Sequence, residues 1–242
     1  TNTINQALGN KVEGTTNNQL IDKSDDDEKT IKLVLNGYTL ELSTGIIVVG
    51  GKTLVILDGE IVGGTLVGTT NDQAVVEVQG NGTLKLEGET KLTHDQNGDG
   101  EADTTGSGVK VDEKGKFEMT GGEISGNKAG SNTNYNGGGV YVEGGEFTMS
   151  GGTITGNVAQ NTPDTTADPT VTHQGAGGGV YVTGGKKNDG TSVHYDNDAT
   201  NRGKFTLSGG AVISDNEAGE GGGIFIDNSG YNNTFTSQYG SK

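Results

Sequence analysis

Short stretches in which apolar and polar residues alternate recur along this chain in a fixed order. The repeat has three motifs, G-V-x-V, then F-x-M/L-x-G-G, then I-x-G/D-N. The clear copies are GVKV (108–111), GVYV (139–142), GVYV (179–182) and GIFI (223–226); KFEMTGG (116–122), EFTMSGG (146–152) and KFTLSGG (204–210); and ISGN (124–127), ITGN (154–157) and ISDN (213–216). Weaker copies lie between residues 46 and 95. Alternation over a few residues, bounded by glycine, predicts a short half-buried strand that ends in a sharp corner.

Three short strands and three corners in each repeat predict one coil of a triangular solenoid. The connections between motifs differ in length whereas the motifs do not, and a solenoid accommodates such insertions at its corners. The sequence therefore predicts an all-β fold, a right-handed single-stranded parallel β-helix of about five to six three-strand coils. We expect residues 1–30 to form an N-terminal segment that serves as a cap or a linker, and residues 31–242 to form the β-helix. We expect the β-helix to continue with further coils or a cap, because the last coil has no third motif.

Equivalent positions of successive coils are expected to stack about 4.8 Å apart, the spacing of neighbouring strands in a sheet. The predicted inward rows are Val109, Val140, Val180 and Ile224; Phe117, Phe147 and Phe205; Met119, Met149 and Leu207; and Ile124, Ile154 and Ile213. Asn127, Asn157 and Asn216 fall at one corner, with Asp95 in the same register one coil earlier. Because stacked asparagines can hydrogen-bond along such a row, these three asparagines predict a structural ladder.

The composition fits a long, thin core and limits the classes of partner. Glycine makes up 46 of the 242 residues and hydrophobic residues only 29%, which favours a narrow solenoid over a globule with one deep core. The net charge of −16 argues against nucleic acid, because binding to it depends on lysine and arginine. The chain has no cysteine and no long apolar run, so we expect no disulfide and no membrane insertion. We expect a monomer.

The repeat GGG-V-Y-V … F-T-M-S-G-G-x-I-x-G-N resembles that of glycine-rich right-handed parallel β-helix domains of the pectate-lyase-like superfamily. Such repeats are common in large cell-surface and adhesin-like proteins of Gram-positive bacteria. The resemblance covers about residues 31 to 236 and includes LVLNGYTLEL (33–42), which is similar to the opening segment of those domains. It implies the fold and an extracellular location on the bacterial cell surface. It does not imply one activity, because this fold carries lyases, hydrolases, adhesins and stalks.

Outward positions on the strands are where a solenoid would carry binding groups. On the G-V-x-V strands, Tyr141, Tyr181 and Phe225 point outward from three consecutive coils, and we call them the aromatic row. The row is predicted either as an exposed ligand-binding platform or as cross-strand packing beneath long connections. The longest connections are 128–136, 158–176 and 183–203.

One stretch, DQNGDGEAD at 95–103, has the spacing of a calcium loop. Oxygen ligands at alternating positions allow a short loop to wrap a hard cation. The candidate ligands are Asp95, Asn97, Asp99, Glu101 (through its backbone carbonyl) and Asp103. The last position of the full pattern, a bidentate acid, is Gly106 here, so the alternative is an acidic corner insertion without metal. Calcium is thus the candidate cofactor.

The leading functional hypothesis is a non-enzymatic adhesin or rigid stalk module of a secreted bacterial surface protein. It would bind a host surface protein or a glycan through the aromatic row and the neighbouring loops. The alternative is a polysaccharide lyase or glycoside hydrolase, which would need a set of carboxylates, or an arginine or lysine base, at outward positions. Glu77 beside Lys110 is a charge pair on the G-V-x-V strands, and we interpret it as a pair of cross-strand neighbours. The sequence therefore favours a protein without enzymatic activity.

Overall fold

A computed structural model describes residues 30–59, 61–159, 175–188, 193–195, 201–228 and 233–238. Most of the predicted N-terminal segment (1–29) and most of the connection 158–176 (160–174) lie outside these residues. Three parallel sheets contain nearly all of the described strands, and successive strands of the chain fall in the three sheets in turn. This is a parallel β-helix, so the predicted fold class is confirmed.

Each sheet takes one strand from every coil. Sheet A comprises β1 (Thr30–Val34), β4 (Thr53–Leu57), β7 (Thr83–Leu86), β10 (Lys116–Met119), β13 (Glu146–Met149), β19 (Lys204–Ser208) and β23 (Thr234–Gln238). Sheet B comprises β2 (Thr39–Leu42), β5 (Thr65–Gly68), β8 (Lys91–Thr93), β11 (Glu123–Ser125), β14 (Thr153–Thr155) and β20 (Val212–Ser214). Sheet C comprises β3 (Ile46–Val48), β6 (Val76–Val78), β9 (Val109–Val111), β12 (Val140–Glu143), β16 (Val180–Thr183) and β22 (Ile224–Ile226). The described chain therefore holds six complete coils, and β23 adds the sheet-A strand of a seventh.

The predicted inward rows pair residue by residue in the parallel sheets. Phe147 lies opposite Phe117 and Phe205, Val140 opposite Val109 and Val180, and Ile154 opposite Ile124 and Ile213. The rings of Phe147 and Phe117 stack with centroids 4.6 Å apart, and those of Phe147 and Phe205 with centroids 4.8 Å apart. A fully buried phenylalanine contributes about 1.5–3 kcal/mol through burial. Repetition of such rows lets a chain with few large side chains form a stable core.

The corner after each sheet-B strand explains the third motif. Gly126, Gly156 and Asp215 occupy equivalent corner positions and have φ values of 60°, 62° and 53°. Glycine adopts this left-handed conformation at no steric cost, and aspartate tolerates it better than most residues. The G/D position of I-x-G/D-N is therefore set by the turn that starts the next side of the coil.

The long connections carry some structure of their own. A short 3₁₀ helix, Ser131–Thr133, lies within the connection 128–136. Strands β15 (Val158–Ala159) and β21 (Glu217–Ala218) pair in parallel as a separate two-stranded sheet. Within 183–203, β17 (Lys186–Asn188) and β18 (Val193–Tyr195) form an antiparallel hairpin. These insertions leave the register of the three main sheets unchanged.

Candidate functional site

The aromatic row stacks on the outer face of sheet C but is largely covered. Tyr141 and Tyr181 have ring centroids 5.3 Å apart, and Tyr181 and Phe225 have centroids 5.7 Å apart. Tyr141 is only 3% exposed and Tyr181 only 6%, whereas Phe225 is partly exposed. Ala176 packs in the same cluster, and the Tyr181 hydroxyl donates a hydrogen bond of 2.8 Å to Asp227. The expectation of a fully exposed platform is therefore wrong, because the two tyrosines are buried in a cluster with Ala176 and Phe225. The packing alternative describes them.

A charged cluster continues the same outer face toward the earlier coils. Lys110 lies in register between Glu77 and Tyr141. Its ammonium is 2.9 Å from Glu77 Oε1 and 3.0 Å from Asp112 Oδ1. The side chains of Glu77, Lys110 and Asp112, which we call the charged triad, are 25%, 18% and 24% exposed. Sequence reasoning found the Glu77–Lys110 pair but missed Asp112. The available signal was its position two residues after Lys110, on the same side of the chain.

The pKa values of the two carboxyl groups of the triad are shifted in opposite directions. Burial raises the pKa of Asp112 to about 7, and the nearby Lys110 charge only partly offsets this. The 3.0 Å contact with Lys110 lacks hydrogen-bond geometry, so the buried Asp112 Oδ1 accepts no hydrogen bond in it. Burial also disfavours the charged form of Glu77, but the Lys110 charge and hydrogen bonds outweigh it and lower the pKa of Glu77. For Lys110, the charges of Asp112 and Glu77 outweigh burial and raise its pKa. The triad thus holds one carboxylate, one ammonium and one carboxyl that keeps its proton up to near-neutral pH.

The predicted calcium loop is closed by its own hydrogen bonds. The Asp95 carboxylate accepts bonds from the amides of Gly98 (2.7 Å) and Gly100 (2.9 Å). The Asp103 carboxylate accepts bonds from the amides of Gln96 (2.6 Å) and Asn97 (3.2 Å). Further bonds run from the Asp99 amide to the Asn97 side chain and from the Glu101 amide to the Asp99 carboxylate. The candidate side chains therefore share one compact loop.

Metal binding by this loop stays a prediction. Among the described residues, no three His, Cys, Asp or Glu side chains converge closely enough to hold a metal ion by themselves. The predicted ligand set also includes the Asn97 amide oxygen and the Glu101 carbonyl. Binding would require the carboxylates to share their lone pairs between the backbone amides and the cation.

The three asparagines form a hydrogen-bonded ladder inside the corner. Asn127 Nδ2 donates to Asn157 Oδ1, and Asn157 Nδ2 donates to Asn216 Oδ1. The donor–acceptor distance is 2.9 Å in both bonds. Asn127 and Asn157 are buried. Each rung also satisfies the backbone amide of the preceding asparagine through the same oxygen. The ladder thus ties the corners of three successive coils together.

The register expected for Asp95 agrees with the pairing of Leu92 with Ile124, but the Asp95 side chain turns into its own loop and does not extend the ladder. His94 fills the place, because its Nδ1 is 2.8 Å from Asn127 Oδ1 and its Nε2 is 3.0 Å from the carbonyl oxygen of Gln73. To extend the ladder toward the earlier coil, Asn127 Oδ1 needs a hydrogen-bond donor, and a carboxylate cannot donate. His94 is fully buried, and burial lowers its pKa more than the bonds to Asn127 and Gln73 raise it.

The comparisons with known proteins return no relative. No family model, no curated protein and no solved structure matches the chain. In the described part of the chain, no helix is long and apolar enough to cross a membrane. Any assignment of function therefore depends on the geometry of the fold and on the outer face of sheet C.

Proposed function

We propose that this chain is a rigid module of an extracellular bacterial surface protein, an adhesin or stalk, that binds a glycan through the outer face of sheet C. The observation that carries the proposal is the continuity of the charged triad with the aromatic row on that face. Lys110 and Tyr141 are cross-strand neighbours, and the stack then runs through Tyr181 to Phe225. Of the aromatic row only Phe225 is partly exposed, so a ligand would meet one apolar ring and the polar groups of the triad, a mixture that is typical of small-molecule sites.

The burial of the two tyrosines defines which part of this face a ligand would contact. The accessible groups are the charged triad at one end and the partly exposed Phe225 at the other. Lys110 and Phe225 are three strands apart in sheet C, which corresponds to about 14 Å. A glycan that contacts both must therefore be an oligosaccharide and not a single sugar ring. The net charge of −16 favours neutral or amino sugars over sulfated or sialylated glycans, because like charges repel.

A second candidate function, cleavage of a glycosidic bond, is supported by the two carboxyl groups of the triad. A carboxyl that keeps its proton near neutral pH beside an ionised carboxylate is the pairing that general acid–base catalysis uses. Asp112 would then act as the acid and Glu77 as the base. Lys110 contacts both groups, so a substrate would have to displace this ion pair.

One experiment separates the two functions. The protein is incubated with a panel of neutral and acidic polysaccharides and host surface proteins, and saturable binding and released products are measured in the same samples. We expect binding to a neutral glycan without product. Product release that is abolished by Asp112→Asn, and unchanged by the control Asp215→Asn on an exposed corner, would establish the enzyme instead. Binding to no member of the panel would contradict a ligand-binding role for this face.

A further inference from the structure

The charged triad contains two carboxyl groups for one ammonium. Lys110 Nζ donates a hydrogen bond of 2.9 Å to Glu77 Oε1 and lies 3.0 Å from Asp112 Oδ1. Asp112 Oδ1 is buried and accepts no hydrogen bond in the described part of the chain. The Glu77 carboxylate alone balances the Lys110 charge, so a negative charge on Asp112 would be in excess.

The charged and titratable groups around Asp112 come from three strands and from its own turn. Asp112 directly follows β9, which lies between β6 and β12 in sheet C. The groups on these elements are Glu77 on β6, Lys110 on β9, Tyr141 and Glu143 on β12, and Glu113 and Lys114 in the turn. Burial raises the pKa of Asp112, the Lys110 charge lowers it, and Glu77 raises it further.

Asp112 is the member of the triad that changes charge near neutral pH. Its pKa is raised to about 7. The pKa of Glu77 is lowered and that of Lys110 is raised, so both groups stay charged over the neutral range. Below about pH 7 the triad is neutral as a whole, and above this pH it carries one net negative charge.

Ionisation of Asp112 changes two properties that matter to an uncharged ligand. A carboxylate forms stronger hydrogen bonds with an ammonium than a neutral carboxyl does, so ionised Asp112 would draw a second N–H of Lys110 away from the ligand. The side chains of the triad are 18–25% exposed, and a ligand that covers them removes their remaining water. Covering a site with a net charge costs more free energy than covering a neutral one. Both effects weaken the binding of an uncharged sugar.

We propose that Asp112 is a pH switch of this site, so that the outer face of sheet C binds a neutral oligosaccharide when Asp112 is protonated and releases it when Asp112 is ionised. This inference rests on the proposed glycan-binding function. Coupling between two binding events is reciprocal. A ligand that prefers the protonated form must therefore raise the pKa of Asp112 when it binds.

The probes are hexasaccharides of glucose, mannose, xylose and N-acetylglucosamine, which stay uncharged over the pH range used. Their dissociation constants with the full chain are measured at about pH 5.5 and about pH 8.5, on either side of the Asp112 titration. We expect at least about tenfold weaker binding by the wild type at the higher pH. Asp112→Asn cannot ionise, so its two affinities should agree, whereas Asp215→Asn, on an exposed corner, should keep the pH dependence of the wild type. Circular dichroism at both pH values verifies that each protein is folded.

The titration of Asp112 itself gives a second test that needs no variant. The carbon-13 shift of its carboxyl group should titrate near neutral pH in the free wild type, and at higher pH when the ligand is saturating. The switch would be overturned, with the glycan site left in place, by equal wild-type affinities at the two pH values, by a pH dependence that persists in Asp112→Asn, or by an unchanged titration midpoint. Binding of no probe at either pH would overturn both the switch and the proposed function.

Discussion

Removing the central asparagine of the ladder should destabilise the fold much more than removing the last one. Asn157 is fully buried. Its Nδ2 lies 2.8 Å from the Ile124 carbonyl and 2.9 Å from Asn216 Oδ1, and its Oδ1 accepts from both the amide and the Nδ2 of Asn127. Asn157→Ala leaves at least two of these buried groups without a partner. Since each costs about 1–3 kcal/mol, we expect a loss of about 3–5 kcal/mol in the free energy of unfolding.

The matched control is the same substitution at the end of the same ladder. Asn216 bonds to one coil only and is partly exposed, so water can replace part of what it provides. Asn216→Ala should therefore cost only about 1–2 kcal/mol. Equilibrium urea unfolding, with the slope checked for constancy, measures both values. Equal losses for the two variants, or a loss below about 1 kcal/mol for Asn157→Ala, would refute the ladder as a main source of corner stability.

Three further predictions concern the core, the charged triad and the calcium loop. Phe147→Ala, in the middle of the phenylalanine stack, should lower the unfolding free energy by about 3–5 kcal/mol, and Phe235→Ala, at a site 42% exposed, by less than about 1 kcal/mol; similar losses in urea unfolding would contradict the stacked core. The folded-state pKa of Asp112 is raised to about 7, above the unfolded value of about 3.9. The wild type should therefore lose stability relative to Asp112→Asn as the pH rises between these values. Parallel curves of unfolding free energy against pH for the two proteins would exclude the shift. Calorimetry should detect saturable calcium binding that Asp99→Ala abolishes and Asp215→Ala does not; absence of calcium heat in the wild type would remove calcium from the account.

The strands and their stacking could be predicted because each signal is local. Apolar and polar residues alternate with a period of two, and this alternation indicates which residues share a face. The recurrence of the motifs indicates which of them are neighbours across strands. The sequence alone therefore places Phe117, Phe147 and Phe205 in one row. The left-handed corner at Gly126 and Gly156 follows in the same way from the glycine of the motif.

The features that sequence reasoning left open or missed depend on contacts that periodicity does not specify. Periodicity places Tyr141 on the outer face but does not decide between exposure and packing, and the structure shows packing. Counting in register selects Asp95 for the ladder, whereas the need for a hydrogen-bond donor selects His94. Asp112 was missed because its raised pKa results from burial beside Lys110, and burial is determined by the folded structure and not by the sequence pattern.

The measurement that tests glycan binding by the outer face of sheet C most directly is a comparison of two lysine variants. Lys110 belongs to the charged triad, and Lys85 forms an exposed ion pair of 2.8 Å with Glu118 on sheet A. The dissociation constant of the best-binding neutral glycan is measured for the wild type, Lys110→Gln and Lys85→Gln, with circular dichroism to verify that each is folded. We predict at least a tenfold weaker affinity for folded Lys110→Gln, equivalent to about 1.4 kcal/mol, and wild-type affinity for Lys85→Gln. Equal affinities of all three folded proteins would contradict the assignment of this face.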